Sequence, residues 1–382
     1  MNRLLRKWAS LFFIDALTGM AFGLFATLIV GTIMVQLGRY VPGTVGEFLV
    51  VTGSVASVLT GFGIGIGVAH RLSASTFVIA GTGVAGMVGA HAGKILGGDV
   101  VEGLSFQLLG PGEPLGAFIA AFIAVECGLF VSGKTPVDIL VTPFVTICSG
   151  SAVGLLIGPT ISGFMTRLGE IINWSAQQQP FLMGILVAVI MGICLTLPIS
   201  SAALGIILGL SGLAAGAATV GCCCQMVGFA VAGWRENRWA GLISQGLGTS
   251  MLQMPNIIRR PVIWLPSIIA SAILGPVATT VFGMENNPAG SGMGTSGLVG
   301  QLMTWSVMSP DHEALPLALM ILGLNIVGPA VLVLAVSEGM RRRGWIRPGD
   351  MALARPESVD GDSRESAPAG GAAVSASPGT GG

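Results

Sequence analysis

Two short segments gather hydrogen-bonding groups in an otherwise apolar chain. The first reads Gly246-Leu247-Gly248-Thr249-Ser250-Met251-Leu252 and the second Gly292-Met293-Gly294-Thr295-Ser296-Gly297-Leu298, so both follow the pattern G-x-G-T-S-x-L. Glycine loosens helix and leaves backbone N–H and C=O groups open to other partners. Thr249, Ser250, Thr295 and Ser296 add hydroxyls, and Gln245, Gln253, Asn256, Asn286 and Asn287 add carboxamides that both donate and accept. Such a set suits a polyhydroxyl or carboxylate solute. Glu285 opens the second segment and either binds the solute or stands in a solvated loop. The expected solute-binding group is therefore Gln245, Thr249, Ser250, Asn256, Glu285, Asn286, Asn287, Thr295 and Ser296. The alternative is that these residues cap short helices and pack tightly.

Ionisable residues inside apolar runs are the other candidates for chemistry. Asp15 and Glu126 lie in such runs. Glu126 is the candidate base, and either carboxylate is a candidate coupling charge for ion-driven transport. The competing readings are an interhelical bond for Asp15 and a pair with Lys134 for Glu126. His70, His91 and His312 fall near expected span ends and read as interfacial residues. The six cysteines form no C-x-x-C and have no nearby histidine, so buried inert thiols are expected, with no metal site and no cofactor. Gly128 to Thr135 matches the nucleotide-binding pattern G-x-x-x-x-G-K-[ST]. A lipid-type helix precedes it and Pro136 follows, so Gly133 reads as a helix stop and Lys134 as a cationic anchor.

These groups must be positioned by membrane helices. Charged residues are 9% of the chain, against about 25% in a soluble domain. So few charges cannot cover a water-facing surface, and zero net charge gives no footprint for nucleic acid. A span needs about 20 mainly apolar residues. Stretches 11–37, 47–69, 74–93, 115–132, 137–160, 180–198, 262–283 and 315–337 qualify, and 202–233 is long enough to fold as two short helices in a hairpin about its Gly-Ala-Ala-Thr middle. The expected fold is an all-α polytopic membrane protein of about ten transmembrane helices with two re-entrant Gly-rich segments, one entering from each face. The first apolar run is too long for a cleaved leader.

Placing both termini in the cytoplasm puts Arg71, Lys134, Arg235, Arg238, Arg259, Arg260 and Arg341–Arg343 inside, and Arg39, Lys94 and Arg167 outside. The membrane domain is expected to end at 347. Residues 348–382, rich in Ala, Gly, Ser and Pro, read as a disordered cytoplasmic tail.

Gly112-Glu113-Pro114-Leu115-Gly116, Val125-Glu126, Gly133 to Ile139, Val141-Thr142-Pro143, Gly246 to Asn256 and Asn286 to Gln301 together resemble the membrane (IIC) component of the phosphotransferase system. More narrowly, they resemble its stand-alone branch similar to the perfringolysin O regulator. The resemblance implies an inner-membrane permease that binds a sugar and presents it to a separate phosphorylated IIB protein, itself served by IIA. It also implies a homodimer. The chain departs from sugar IIC proteins in lacking a late Gly-Ile-Thr-Glu-Pro-type motif, since its Glu113-Pro114 lies in the first half. An ion-coupled transporter of the same fold and a membrane sensor without net transport are the alternatives.

Overall fold

The computed structural model describes Trp8 and residues 11–98, 101–102, 105–106 and 110–353. Helix α1 spans Leu11–Tyr40, with π-helical turns at Leu11–Ala16 and Phe25–Ile29. Helices α2 (Thr44–Val58) and α3 (Thr60–Arg71) meet at a 59° bend. Helix α4 (Thr76–Ala90) leads into the short α5 (Ala92–Gly97), and strands β1 (Val101–Glu102) and β2 (Ser105–Phe106) pair antiparallel. Helices α6 (Pro114–Val131) and α7 (Asp138–Ala176) complete the first half.

The second half begins with α8 (Pro180–Thr196), the short α9 (Ser201–Ile207) and α10 (Gly212–Ala232). Helices α11 (Trp234–Ile243) and α12 (Met254–Arg259) flank the first Gly-rich segment. Helix α13 (Pro261–Val281) separates it from the second, which is bounded by α14 (Pro288–Ser291) and α15 (Val299–Met308). Helix α16 (Ala314–Arg342) follows.

Six of these helices, α1, α6, α7, α10, α13 and α16, are long and apolar enough to cross a bilayer; the bent α2–α3 pair supplies a seventh, and α4 and α8 are shorter apolar helices. The chain is a multi-pass helical membrane protein. Two sequence expectations change. Residues 202–233 do not form a hairpin about Gly216-Ala217-Ala218-Thr219, because α10 runs unbroken through them. The break falls earlier, where Gly209 at φ +60° and Gly212 at φ +59° turn the chain. Helix α7 does not stop near residue 160 but continues for 39 residues with Pro143 and Pro159 inside it. At 1.5 Å per residue it is about 58 Å long, well beyond a hydrocarbon core of about 30 Å.

Helices α1, α3, α4, α6 and α7 pack as one bundle, and α8, α10, α13 and α16 as another. Helix α10 is the axis of the second: 89% of its apolar window is buried inside the protein, against 22% for α7, which faces outward. Lipid supplies no hydrophobic drive for helix association, so contact depends on close fit. At the α1–α3 crossing Gly19 and Gly23 lie against Gly67 and Gly63 with no room for a Cβ.

One end of the molecule is held by ion pairs. Arg341 Nη1 lies 2.9 Å from Glu236, Arg235 2.9 Å from Glu338, Arg260 3.3 Å from Asp350, and Arg71 3.5 Å from Asp15. Helix α12 touches the first turns of α1, which brings the last pair to the same end. The chain past α16 stays attached there. Ile346 and Met351 are fully buried, so residues 348–353, assigned to the tail by composition, are packed structure; 354–382 lie outside the described residues.

Candidate functional site

A cavity of about 1100 Å³ lies between the two bundles. The first bundle contributes Thr32 and Gln36 of α1, His91 and Lys94 around α5, Gly110 to Glu113, and Thr166, Glu170 and Asn173 of α7. The second contributes Ser200 and the apolar face of α9, with Ala289, Met293 and Val299 of the second Gly-rich segment. Lys94, Thr166, Glu170 and Asn173 are exposed and rim the cavity at the end remote from the ion pairs of Arg71, Arg235, Arg260 and Arg341. Most of the remaining wall is aliphatic, and among the described residues no Phe, Tyr or Trp lines it.

Local chemistry explains how Glu113 is presented. Gly112 adopts φ +74°, a conformation suited to glycine, with no room for a Cβ beside Ala90 and His91. Glu113 N–H then donates to Ala90 O at 2.7 Å, stapling the turn to the end of α4. The buried His91 ring sits between Met87 O (Nδ1, 3.1 Å) and Gly110 O (Nε2, 3.2 Å), fixing the same turn from behind. Pro114 starts α6, and Glu113 caps it by accepting from Leu115 N–H at 3.5 Å. Burial pushes the Glu113 carboxyl from 4.5 up to about 7, opposed by the backbone N–H groups of Leu115 and Ser200. Because Ser200 belongs to the second bundle, Glu113 touches both halves of the molecule.

The Gly-rich segments occupy a different place. Their tips meet: Thr295 Oγ1 donates to Gly246 O. Their roots lie at opposite ends of α13, with Arg260 beside the first and Glu285 beside the second. The polar side chains expected to bind solute are mostly satisfied inside the protein. Gln245 donates to Gly241 O at 3.2 Å and accepts from Gln253 at 2.8 Å. Asn256 donates to Gln253 Oε1 at 2.9 Å and to Ala352 O at 2.8 Å. Thr249 accepts from Met251 N–H at 3.2 Å, and Ser250 pairs with Thr196 at 2.8 Å. Asn286 donates to Thr219 at 2.7 Å and Gly300 O at 3.1 Å, and Asn287 accepts from Gly290 N–H at 3.0 Å. Ser296 differs: its hydroxyl is buried without a partner. Glu285 is exposed, and its N–H meets Met308 Sδ at 3.3 Å. None of these nine residues lines the cavity, though Met293 and Val299 beside them do.

The other candidates also lie elsewhere. Glu126 is 13 residues along α6 from Glu113, about 20 Å away. Lys134 does not pair with it but rests over the Phe130 ring at 4.2 Å. Asp15 is paired with Arg71. Cys194, Cys222, Cys223 and Cys224 are buried and Cys127 partly so, but Cys148, expected buried, is exposed on α7. Among the described residues no group of His, Cys, Asp or Glu is arranged to hold a metal. The nucleotide-type pattern sits at the end of α6, where Asp138 accepts from Gly133 N–H at 2.7 Å.

By sequence His91 reads as interfacial, and Glu113 carries no site role. The available signal was Gly110-Pro111-Gly112-Glu113-Pro114, a turn delivering a carboxylate to the mouth of a span.

No curated protein matches the chain. The family model described as "Phosphotransferase system, EIIC" matches residues 14–353, which takes in both bundles, the cavity and both Gly-rich segments. The chain belongs to the phosphotransferase system EIIC family.

Proposed function

We propose that this chain is the permease component of a sugar phosphotransferase system, and that it binds its sugar or related polar solute in the cavity around Glu113. The observation that carries this reading is a partly buried carboxylate facing a solute-sized space where the two bundles meet. Glu113 accepts hydroxyl donors from the solute. The aliphatic wall takes the solute's C–H faces.

The end bearing Arg71, Arg235, Arg260 and Arg341 is cytoplasmic in this reading, in accord with the inward bias of positive charge. Both termini lie there, in a bacterial inner membrane. The two Gly-rich segments then dip into the bilayer from opposite faces, as re-entrant elements must if their tips meet beside α13. Their hydroxyls and carboxamides hold the wall between cavity and cytoplasm rather than ligating the solute, with Ser296 the exception in having a hydroxyl to offer. The narrower likeness to the perfringolysin O regulator branch and a homodimeric state belong to the same proposal.

A separate IIB protein, recharged by IIA, supplies the phosphoryl group. The present chain contributes orientation and electrostatics, the main levers of phosphoryl transfer. The test is uptake of labelled hexoses and hexitols into vesicles containing the purified chain, with and without phosphorylated IIB. Phosphorylated sugar inside only when IIB is charged is the expected result. Uptake of free sugar driven by an ion gradient alone overturns the reading.

A further inference from the structure

Beyond α16 the chain turns back and lies against the first Gly-rich segment. Asn237 Nδ2 donates to Met351 O at 2.8 Å, and Leu353 N–H returns a bond to Asn237 Oδ1 at 2.8 Å. Gln253 donates to Met351 O at 3.0 Å and Asn256 to Ala352 O at 2.8 Å. Asp350 accepts from Arg260 and from Arg347 N–H, and Glu236 accepts from Arg341 and from Gly349 N–H. The Met351 and Ile346 side chains are fully buried. Side-chain amides that grip main-chain carbonyls hold a strap by its backbone, and each such bond is remade with water if the strap leaves.

This strap is the outermost layer of a continuous series of contacts. Gln253 joins it to Gln245. Gln245 precedes Gly246, whose carbonyl accepts from Thr295. Thr295 lies between Met293 and Val299, which line the cavity. Along this line the two Gly-rich segments stand between the cavity-lining Met293 and Val299 and the strap. The cavity itself is rimmed by exposed residues only at the other end.

We propose that Trp345–Leu353 is a latch: while docked it holds the first Gly-rich segment against the second and closes the cavity toward the arginine-rich end, and its release opens that path. The latch acts on access to the cavity, whatever solute the cavity takes, so its test does not depend on the transport reading.

The test uses the full chain carrying Val299→Cys, with Cys127→Ser and Cys148→Ser to remove the accessible native thiols. A charged, membrane-impermeant methanethiosulfonate is applied to oriented vesicles from the arginine-rich side. Two releasing changes are compared with this parent: truncation after Gly344, and Asn237→Ala combined with Asp350→Ala. Hydrogen exchange of the 345–353 amides verifies release in the second. Either change should speed labelling of Val299→Cys from that side about tenfold and leave labelling from the opposite side unchanged. If the truncated chain does not fold, the double variant decides alone. Should that variant prove still latched by hydrogen exchange, adding Gln253→Ala removes the last side-chain donor to Met351 O. Released strap with unchanged labelling overturns the proposal, as does equal acceleration from both sides.

Discussion

Two regions of this protein bury polar side chains, and they use them in opposite ways. In the first Gly-rich segment Gln245, Gln253 and Asn256 bond one another and the strap. At the cavity, Glu113 has two backbone N–H groups for its carboxylate and then empty space. The first arrangement is closed and rigid. The second has bonding capacity left over, which is what a solute needs. A dense run of polar residues in an apolar chain therefore marks a saturated frame as readily as a binding site. A candidate site is better sought where hydrogen-bonding capacity remains.

That contrast is broken most directly through the frame. Gln253→Leu leaves Gln245 Oε1 without its donor, takes the Gln253 Oε1 acceptor from Asn256 and removes one of the two amide donors to Met351 O; it should cost about 3 kcal/mol of stability, read as a lower melting temperature in detergent. Sugar affinity of the variant that remains folded should stay within about threefold of the parent, a shift under about 1 kcal/mol. The reciprocal change is Glu113→Gln. It removes the charged acceptor and should weaken sugar binding about 30-fold, or about 2 kcal/mol, with no loss of melting temperature. A variant pair in which these two effects are exchanged would reverse the comparison.

The pH dependence sharpens it further. The Glu113 carboxyl is raised from 4.5 to about 7 in the folded protein. Between those values the folded state holds a proton that the unfolded state has lost, so stability falls as pH rises through this window and levels off above about 7. Melting temperature followed from pH 4.5 to 8 should show this slope in the parent and lose it in Glu113→Gln. The smallest effect is expected at Glu126, which no described hydrogen bond or ion pair reaches and which lies far along α6 from the cavity. Glu126→Gln should change uptake by less than about twofold, which is under about 0.5 kcal/mol. A tenfold loss would return the coupling role to that residue.

Much of the architecture is legible in the chain, because span length and charge scarcity are strong constraints in lipid. The helices over 11–40, 114–131, 261–281 and 314–342 lie where apolar runs place them. The failures have local causes. The break before α10 depends on Gly209 and Gly212 among many glycines, and hydropathy is blind to which glycines turn. Helix α7 passes its expected end because Pro159 is accommodated within the helix. The two Gly-Thr-Ser segments share a pattern, and Thr295 of one donates to Gly246 O of the other. Their side chains nevertheless turn mostly inward, and the partners that absorb them, Thr219, Thr196 and the strap carbonyls, are remote in sequence. His91 was indistinguishable from an interfacial histidine, since its burial depends on the distant Gly110 turn closing over it.

The most direct test fills the cavity without touching any polar group. Ala203 stands on the α9 wall opposite Glu113's bundle, and Ala203→Trp projects an indole into that space. Equilibrium binding of the transported sugar to this variant, alongside Asn256→Ala, decides where the solute sits. Ala203→Trp should abolish binding while Asn256→Ala retains it. Binding retained in Ala203→Trp and lost in folded Asn256→Ala would contradict it.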